Sequence, residues 1–291
     1  MRKFIVNSNV YGWMGKTHAL LSVMFLCICL LIPVNVFEET LWLLKDNILF
    51  FIVGLTVLVG GALLPDLDNC SSSAGSTLGF MGSIITIFMQ STSSVIWTLV
   101  HTRRERMPMT PHRYFWHTLV ASAGIICLFW FGMPTGETTI FGGIREETFG
   151  RFLQNNVAIL FFIIVLFMAV LCGSDMILYR LVKWFKLPKL ISYILPVLVL
   201  IYTFTLDYNH LRILGLCIGF GYLFHCLEDF FADGGVPLLW PIPIGGHCWY
   251  KCHFLVTCTT GGLINTILDI VVLAIDIGLI ALIFLKGRGV V

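Results

Sequence analysis

The chain has 291 residues, of which 58% are hydrophobic and only 12% charged, with a formal net charge of +2. Soluble domains carry roughly 25% charged residues, so a deficit spread along the whole length excludes a disordered chain, a nucleic-acid binder and an ordinary soluble enzyme. What is left is a polytopic membrane protein: an all-α helix bundle, read as one integral domain over residues 1–291.

Long apolar runs fall at 19–37, 47–64, 117–133, 157–173, 190–206, 211–227 and 263–285. At about 20 apolar residues per crossing, they predict about seven spans. The first run ends in Pro33-Val34-Asn35 with no small-residue cleavage site, so it reads as a span and not as a cleaved signal. A further run, 79–100, is interrupted by Gln90-Ser91-Thr92-Ser93-Ser94. It reads as two short interfacial helices or a re-entrant hairpin. The loop 134–156 is rich in glycine and acidic residues and carries no motif. Gly234-Gly235-Val236-Pro237 and Trp240-Pro241 predict a non-helical segment within 230–262, packed over the His225/Asp229 pair as a wall. Most of the ten cysteines sit inside apolar runs, where they serve as small hydrophobes and not as a disulfide framework.

Seven crossings place the N-terminal tail, 65–116, 174–189 and 228–262 on one side. Those segments hold twelve of the eighteen Lys and Arg residues. By the positive-inside rule that side is cytoplasmic.

Four polar clusters stand at span ends on this same side. His18 opens the first span. Asp66 and Asp68 close the second in Leu64-Pro65-Asp66-Leu67-Asp68. His112 and His117 open the third, and His225 and Asp229 close the sixth. His225 and Asp229 are four apart and share a helix face. Asp66 and Asp68 point the same way in an extended turn, whereas a tighter turn separates them. Imidazole and carboxylate together suit a divalent ion, Zn or Mn, in unspecified number. Each cluster also has an ordinary reading. His18 can be an interfacial histidine, the aspartates a helix exit, and His112 and His117 beside the arginines a lipid-surface patch. Their coincidence on one face favours the metal site.

Two further features stand apart. His247-Cys248-Trp249-Tyr250-Lys251-Cys252-His253 packs four metal-type ligands into seven residues, though without the split spacing of a zinc ribbon. Asp269 and Asp276 lie seven apart in the last span. Charges there are costly and often mark a path, which gives the alternative of an ion or small-solute transporter. A scaffold using metal only for folding is a third reading.

Leu63-Leu64-Pro65-Asp66-Leu67-Asp68, then His112-Arg113-x-x-x-His117, then His225-x-x-x-Asp229 with Gly235-Val236-Pro237-Leu238-Leu239-Trp240-Pro241 occur in that order. This resembles the YdjM-like family of membrane-bound metal-dependent hydrolases, which is distantly similar to zinc-dependent phospholipase C and the S1/P1 nucleases. The resemblance implies His18, Asp66, Asp68, His112, His117, His225 and Asp229 as metal ligands, with Asp66, Asp68 and Asp229 also catalytic. The chain departs from the family pattern at Asn69, Tyr114, Trp116, Ala232 and Asp233. The implied activity is phosphoester hydrolysis by a metal-activated water at the cytoplasmic face of a bacterial inner membrane. Arg113 would hold a phosphate oxygen, and Tyr114 and Trp116 would line an entrance suited to a lipid or lipid-linked substrate. Arg103, Arg104 and Arg106 would draw anionic headgroups.

Overall fold

A computed structural model describes residues 11–31, 47–103, 105, 112–134, 136, 139–140, 157–184, 191–231, 235–251 and 263–287. Their secondary structure is helical, with two isolated bridges and no strand among the described residues. In chain order the helices are α1 (Tyr11–Leu31), α2 (Ile48–Gly61), α3 (Ser73–Leu78), α4 (Phe80–Leu99), α5 (Leu119–Gly132), α6 (Val157–Trp184), α7 (Ile191–Phe204), α8 (Tyr208–Asp229) and α9 (Leu263–Gly287). Two 3-10 turns, Pro65–Asp68 and Phe115–His117, follow α2 and precede α5.

Helix α2 is the axis of the bundle. It packs on α1, α6 and α8; α5 lies on α8, α7 on α6, and α9 on α1. Nothing in a bilayer drives apolar helices together by the hydrophobic effect, so close backbone approach has to do it. Glycines supply that approach. A Cβ added at Gly60 would lie 1.7 Å from the Ala169 carbonyl oxygen of α6, and one at Gly221 of α8 would lie 2.2 Å from the Leu58 carbonyl oxygen. These two crossings bring the ends of α2 and α8 side by side. Asn47 caps α2, Thr118 caps α5 and Asp207 caps α8, each accepting from amides of the first turn.

The spans expected at 47–64, 157–173, 211–227 and 263–285 are helices long and apolar enough to cross a membrane. Those expected at 117–133 and 190–206 are shorter, at 14 residues each. That is about 21 Å of helix against a hydrocarbon core of about 30 Å. The third span loses length because Phe115–His117 is held in a 3-10 turn and the helix begins only after the Thr118 cap.

The 79–100 segment differs from expectation. It is one continuous helix, α4, with no break at Gln90–Ser94, and it too is long and apolar enough to cross a membrane. The break falls instead at Gly79, whose φ of 55° suits glycine and separates α3 from α4. Several of the polar residues are absorbed within the helix or used as ties. Thr92 and Ser94 donate to carbonyls one turn back, Thr86 donates to the Leu67 carbonyl, and Gln90 donates to the Asp68 carbonyl at 2.8 Å. The Trp116 indole N–H donates to the Met89 carbonyl at 2.9 Å. The middle of α4 therefore meets the two 3-10 turns. Gly82, Thr86, Met89 and Ser93 form its buried stripe, and Phe80, Ile87 and Phe88 stand exposed on the other side.

Candidate metal centre

The four clusters expected on one face do come together, in a volume bounded by α1, the two 3-10 turns and the end of α8. His225 and Asp229 point inward from α8, as their four-residue spacing requires, with Nε2 3.5 Å from Asp229 Oδ2. His225 Nδ1 faces the Ala62 carbonyl oxygen at 2.6 Å. It must therefore be the protonated nitrogen, which leaves the Nε2 lone pair facing the cluster. His225 Nε2 also lies 3.7 Å from Asp66 Oδ1. His117 Nε2 lies 3.8 Å from the same Asp66 oxygen and 3.5 Å from Asp229 Oδ2. Ligands at about 2.0–2.2 Å around a tetrahedral ion stand about 3.3–3.6 Å apart, so these four atoms nearly have the separations of such a shell. His117 Nε2, His225 Nε2 and Asp229 Oδ2 are buried with no hydrogen-bond partner. Buried polar atoms are normally satisfied, and here they face one point. The donor set therefore fits a divalent ion of the zinc or manganese kind.

His18 completes the cluster from α1, with Nε2 3.6 Å from Asp229 Oδ1 and its ring 4.0 Å from that of His225. Its Nδ1 is bound to the Glu228 carboxylate. His18, His225 and Asp229 form one triad of potential ligands, and Asp66, His112 and His117 a second. The first sits where α8 ends, and the carbonyl end of α2 lies beside it. Helix C-termini carry partial negative charge and favour a cation.

The 3-10 turn answers the question left open for the two aspartates. Residues two apart in such a turn lie on different sides. Asp66 faces His117 and His225. Asp68 is fully buried and turns toward the 112–113 segment, where it binds His112 Nδ1 at 2.5 Å and the Arg113 amide at 3.0 Å. Its other contact is His117 Nδ1 at 3.5 Å. Asp68 thus holds His112 and the Arg113 amide, and it stands outside both triads of potential ligands. Burial works against a proton on His112, but the bond to Asp68 and the charge of Asp66 outweigh it and raise its pKa. Burial dominates at His117 and lowers its pKa, so its nitrogen is available to an ion.

Arg113 has a φ of 60°, a left-handed conformation that costs a non-glycine residue of order 1–3 kcal/mol and clusters at functional sites. It is held by the Asp68 bond to its amide and by its guanidinium, 2.9 Å from Asp229 Oδ1. Tyr114 and Trp116, expected at an entrance, are both half-buried. Trp116 is the anchor of α4, and its own carbonyl accepts from the Tyr222 hydroxyl at 2.6 Å. Tyr114 lies on the rim, with the Lys251 ammonium 4.7 Å from its ring centre.

The non-helical segment is present over 235–251, but it packs on the Phe115–His117 turn. The Leu119 amide donates to the Leu238 carbonyl, Trp240 meets Phe115 edge-on, and Trp249 stacks on Trp240 with centres 5.0 Å apart. Glu105 fastens it, accepting from the Trp249 and Thr102 amides, both at 2.6 Å. Burial would raise the Glu105 pKa, yet these amides hold it below the ordinary range. Within the 247–253 motif, His247 and Cys248 are not part of either triad, while Cys252 and His253 lie outside the described residues, as do Arg104 and Arg106. Arg103 stands exposed.

Sequence reasoning missed Glu228 and Lys251. Glu228 stands beside Asp229 and looks like a solvated acid; only the fold brings His18, 210 positions earlier, onto it. A carboxylate on the far nitrogen of a ligating histidine fixes its ring and raises its basicity. Glu228→Gln is therefore expected to weaken metal affinity by about 10–100-fold with the fold intact, read by competition against a chelating dye. Unchanged affinity would remove Glu228 from the site.

Residues 14–185, more than half of the chain, match the family described as YdjM inner membrane protein. His18, both aspartates, His112 and His117 lie within that stretch, and His225 and Asp229 join them from beyond it. No curated protein and no solved structure matches the chain. With the family match over most of its helices and several helices long and apolar enough to span a bilayer, the chain belongs to the YdjM inner membrane protein family.

Proposed function

We propose that the protein is a metal-dependent hydrolase that cleaves a phosphoester on a lipid or lipid-linked substrate at the cytoplasmic end of its bundle. One observation carries this reading: Asp66, His117, His225 and Asp229 converge on one point with three buried, unpartnered ligand atoms. His18 and these four would hold zinc or manganese, which when bound polarises a phosphoryl oxygen and lowers the pKa of a bound water to about 7.

The chain's own residues supply the rest. Asp66 is the more open aspartate, with 15% of its side chain exposed against none for Asp68. Its second oxygen, the one not facing His117 and His225, would take the proton of the attacking water. His112 is the outermost of the four site histidines, its side chain 31% exposed. Tied through Nδ1 to Asp68, it would be the acid that protonates the leaving oxygen as the P–O bond breaks. Arg113 offers a fork to a phosphoryl oxygen, and Lys251 on the rim adds a second positive charge. The exposed apolar face of α4, beside the two 3-10 turns, suits a substrate arriving from the bilayer.

The test is hydrolysis of a panel of phospholipids and a chromogenic phosphodiester by the metal-loaded protein in nanodiscs. Arg113→Ala is expected to keep its metal and lose about 100-fold or more in kcat/KM. His112→Ala should flatten the alkaline limb of the rate profile, where the acid must remain protonated. Absence of any metal-dependent hydrolysis in the loaded wild type would overturn the reading and favour the metal-stabilised scaffold.

A further inference from the structure

A cavity of about 670 Å³ lies between α1, α2, α6 and α9. Ala19, Leu20 and Val23 of α1 face it, while His18 turns away to the metal centre. Its walls are apolar apart from Lys16, Thr266, Asp269 and Asp276. The volume is that of a site for a small organic molecule, usually about 300–1,000 Å³.

The two aspartates differ. Asp269, at the end nearer the metal centre, accepts from the Thr17 hydroxyl at 2.8 Å. Asp276 lies seven residues on, about 10.5 Å deeper along the helix. It is 3% exposed, and neither carboxylate oxygen has a hydrogen-bond partner. A buried carboxyl in an apolar wall at membrane depth is costly without a partner, and it marks function more often than packing. Beside it Ile270 and Ile277 line the cavity yet are 64% and 62% exposed, so the cavity opens sideways toward the bilayer.

These features select an occupant. A bare hard cation needs several oxygen ligands, and Asp276 provides one carboxylate among aliphatic walls. An anionic headgroup would find Lys16, but at the end away from Asp276. An organic cation with an apolar body satisfies both the charge and the walls, and it reaches the opening by first partitioning into the membrane. We propose that this groove is a second binding site, distinct from the metal centre, that takes a lipophilic organic cation with its charge against Asp276.

The experiment is equilibrium dialysis of tetraphenylphosphonium against the full chain in nanodiscs of zwitterionic lipid. Uncharged triphenylphosphine oxide serves as comparator, and empty nanodiscs as blank. Saturable binding of the cation is expected, weakened about tenfold or more in Asp276→Asn and retained in Asp276→Glu. Metal content and melting of both variants should match the wild type, which separates loss of the site from loss of the fold. Equal binding by Asp276→Asn, equal binding of the uncharged compound, or no saturable binding by the wild type would each overturn the proposal.

Discussion

Replacing His225 by Ala is expected to weaken metal binding by at least about 100-fold while the bundle stays folded. The reason lies in how many constraints meet on one ring. The Ala62 carbonyl fixes the His225 tautomer. The opposite nitrogen stands 3.5 and 3.7 Å from carboxylates on α8 and on the first 3-10 turn. The ring also packs against those of His18 and His117, at 4.0 and 5.2 Å between centres. Removing it takes out one of the four converging donor atoms and leaves Asp66 and Asp229 without the ring that stands between them. The measurement is titration with zinc against a chelating dye, beside thermal melting with and without metal. The variant should lose the metal-dependent gain in melting temperature, since an ion that binds only the folded chain stabilises it by mass action. Wild-type affinity in His225→Ala would exclude the ring as a ligand.

The second large effect is on the scaffold. Gly60→Leu is expected to prevent assembly of the bundle, at a cost above about 4 kcal/mol. Its Cβ would stand 1.7 Å from backbone oxygen and 2.4 Å from backbone carbon of Ala169, and backbone of a packed helix has no rotamer with which to yield. Helices α2 and α6 would have to separate, and the Ala62 carbonyl that orients His225 lies two residues beyond. The control is Gly278→Ala in α9, where an added Cβ meets nothing within 4 Å. Alanine is the better helix former there, by about 1 kcal/mol. Size-exclusion profiles of the two variants in detergent check the pair. A monodisperse, metal-binding Gly60→Leu would show that the close crossing is dispensable.

Much of this was legible in the sequence because a bilayer enforces it. Apolar runs have to be helices, and four ionisable clusters fell at span ends on one predicted side, which no single cluster's ordinary reading explains. His225 and Asp229 could be placed on one face from their spacing alone. The less legible parts depend on short-range geometry that periodicity does not encode. Pro65–Asp68 is a 3-10 turn, which sends Asp68 to His112 and Arg113 and leaves Asp66 facing His117 and His225. Gln90 read as a break in an apolar run, yet it ties an unbroken helix to the backbone of Asp68. Glu228 gave no signal because its partner, His18, lies at the other end of the chain.

The measurement that bears most directly on the account is elemental analysis of the full chain purified without chelator, beside an Asp66→Asn, Asp229→Asn double variant. The proposed metal centre predicts about one zinc or manganese ion or more per chain, lost in the double variant while its helix content by circular dichroism is unchanged. A wild-type protein that carries no stoichiometric metal, and takes up none when zinc or manganese is supplied, would contradict the metal centre and the hydrolase built on it.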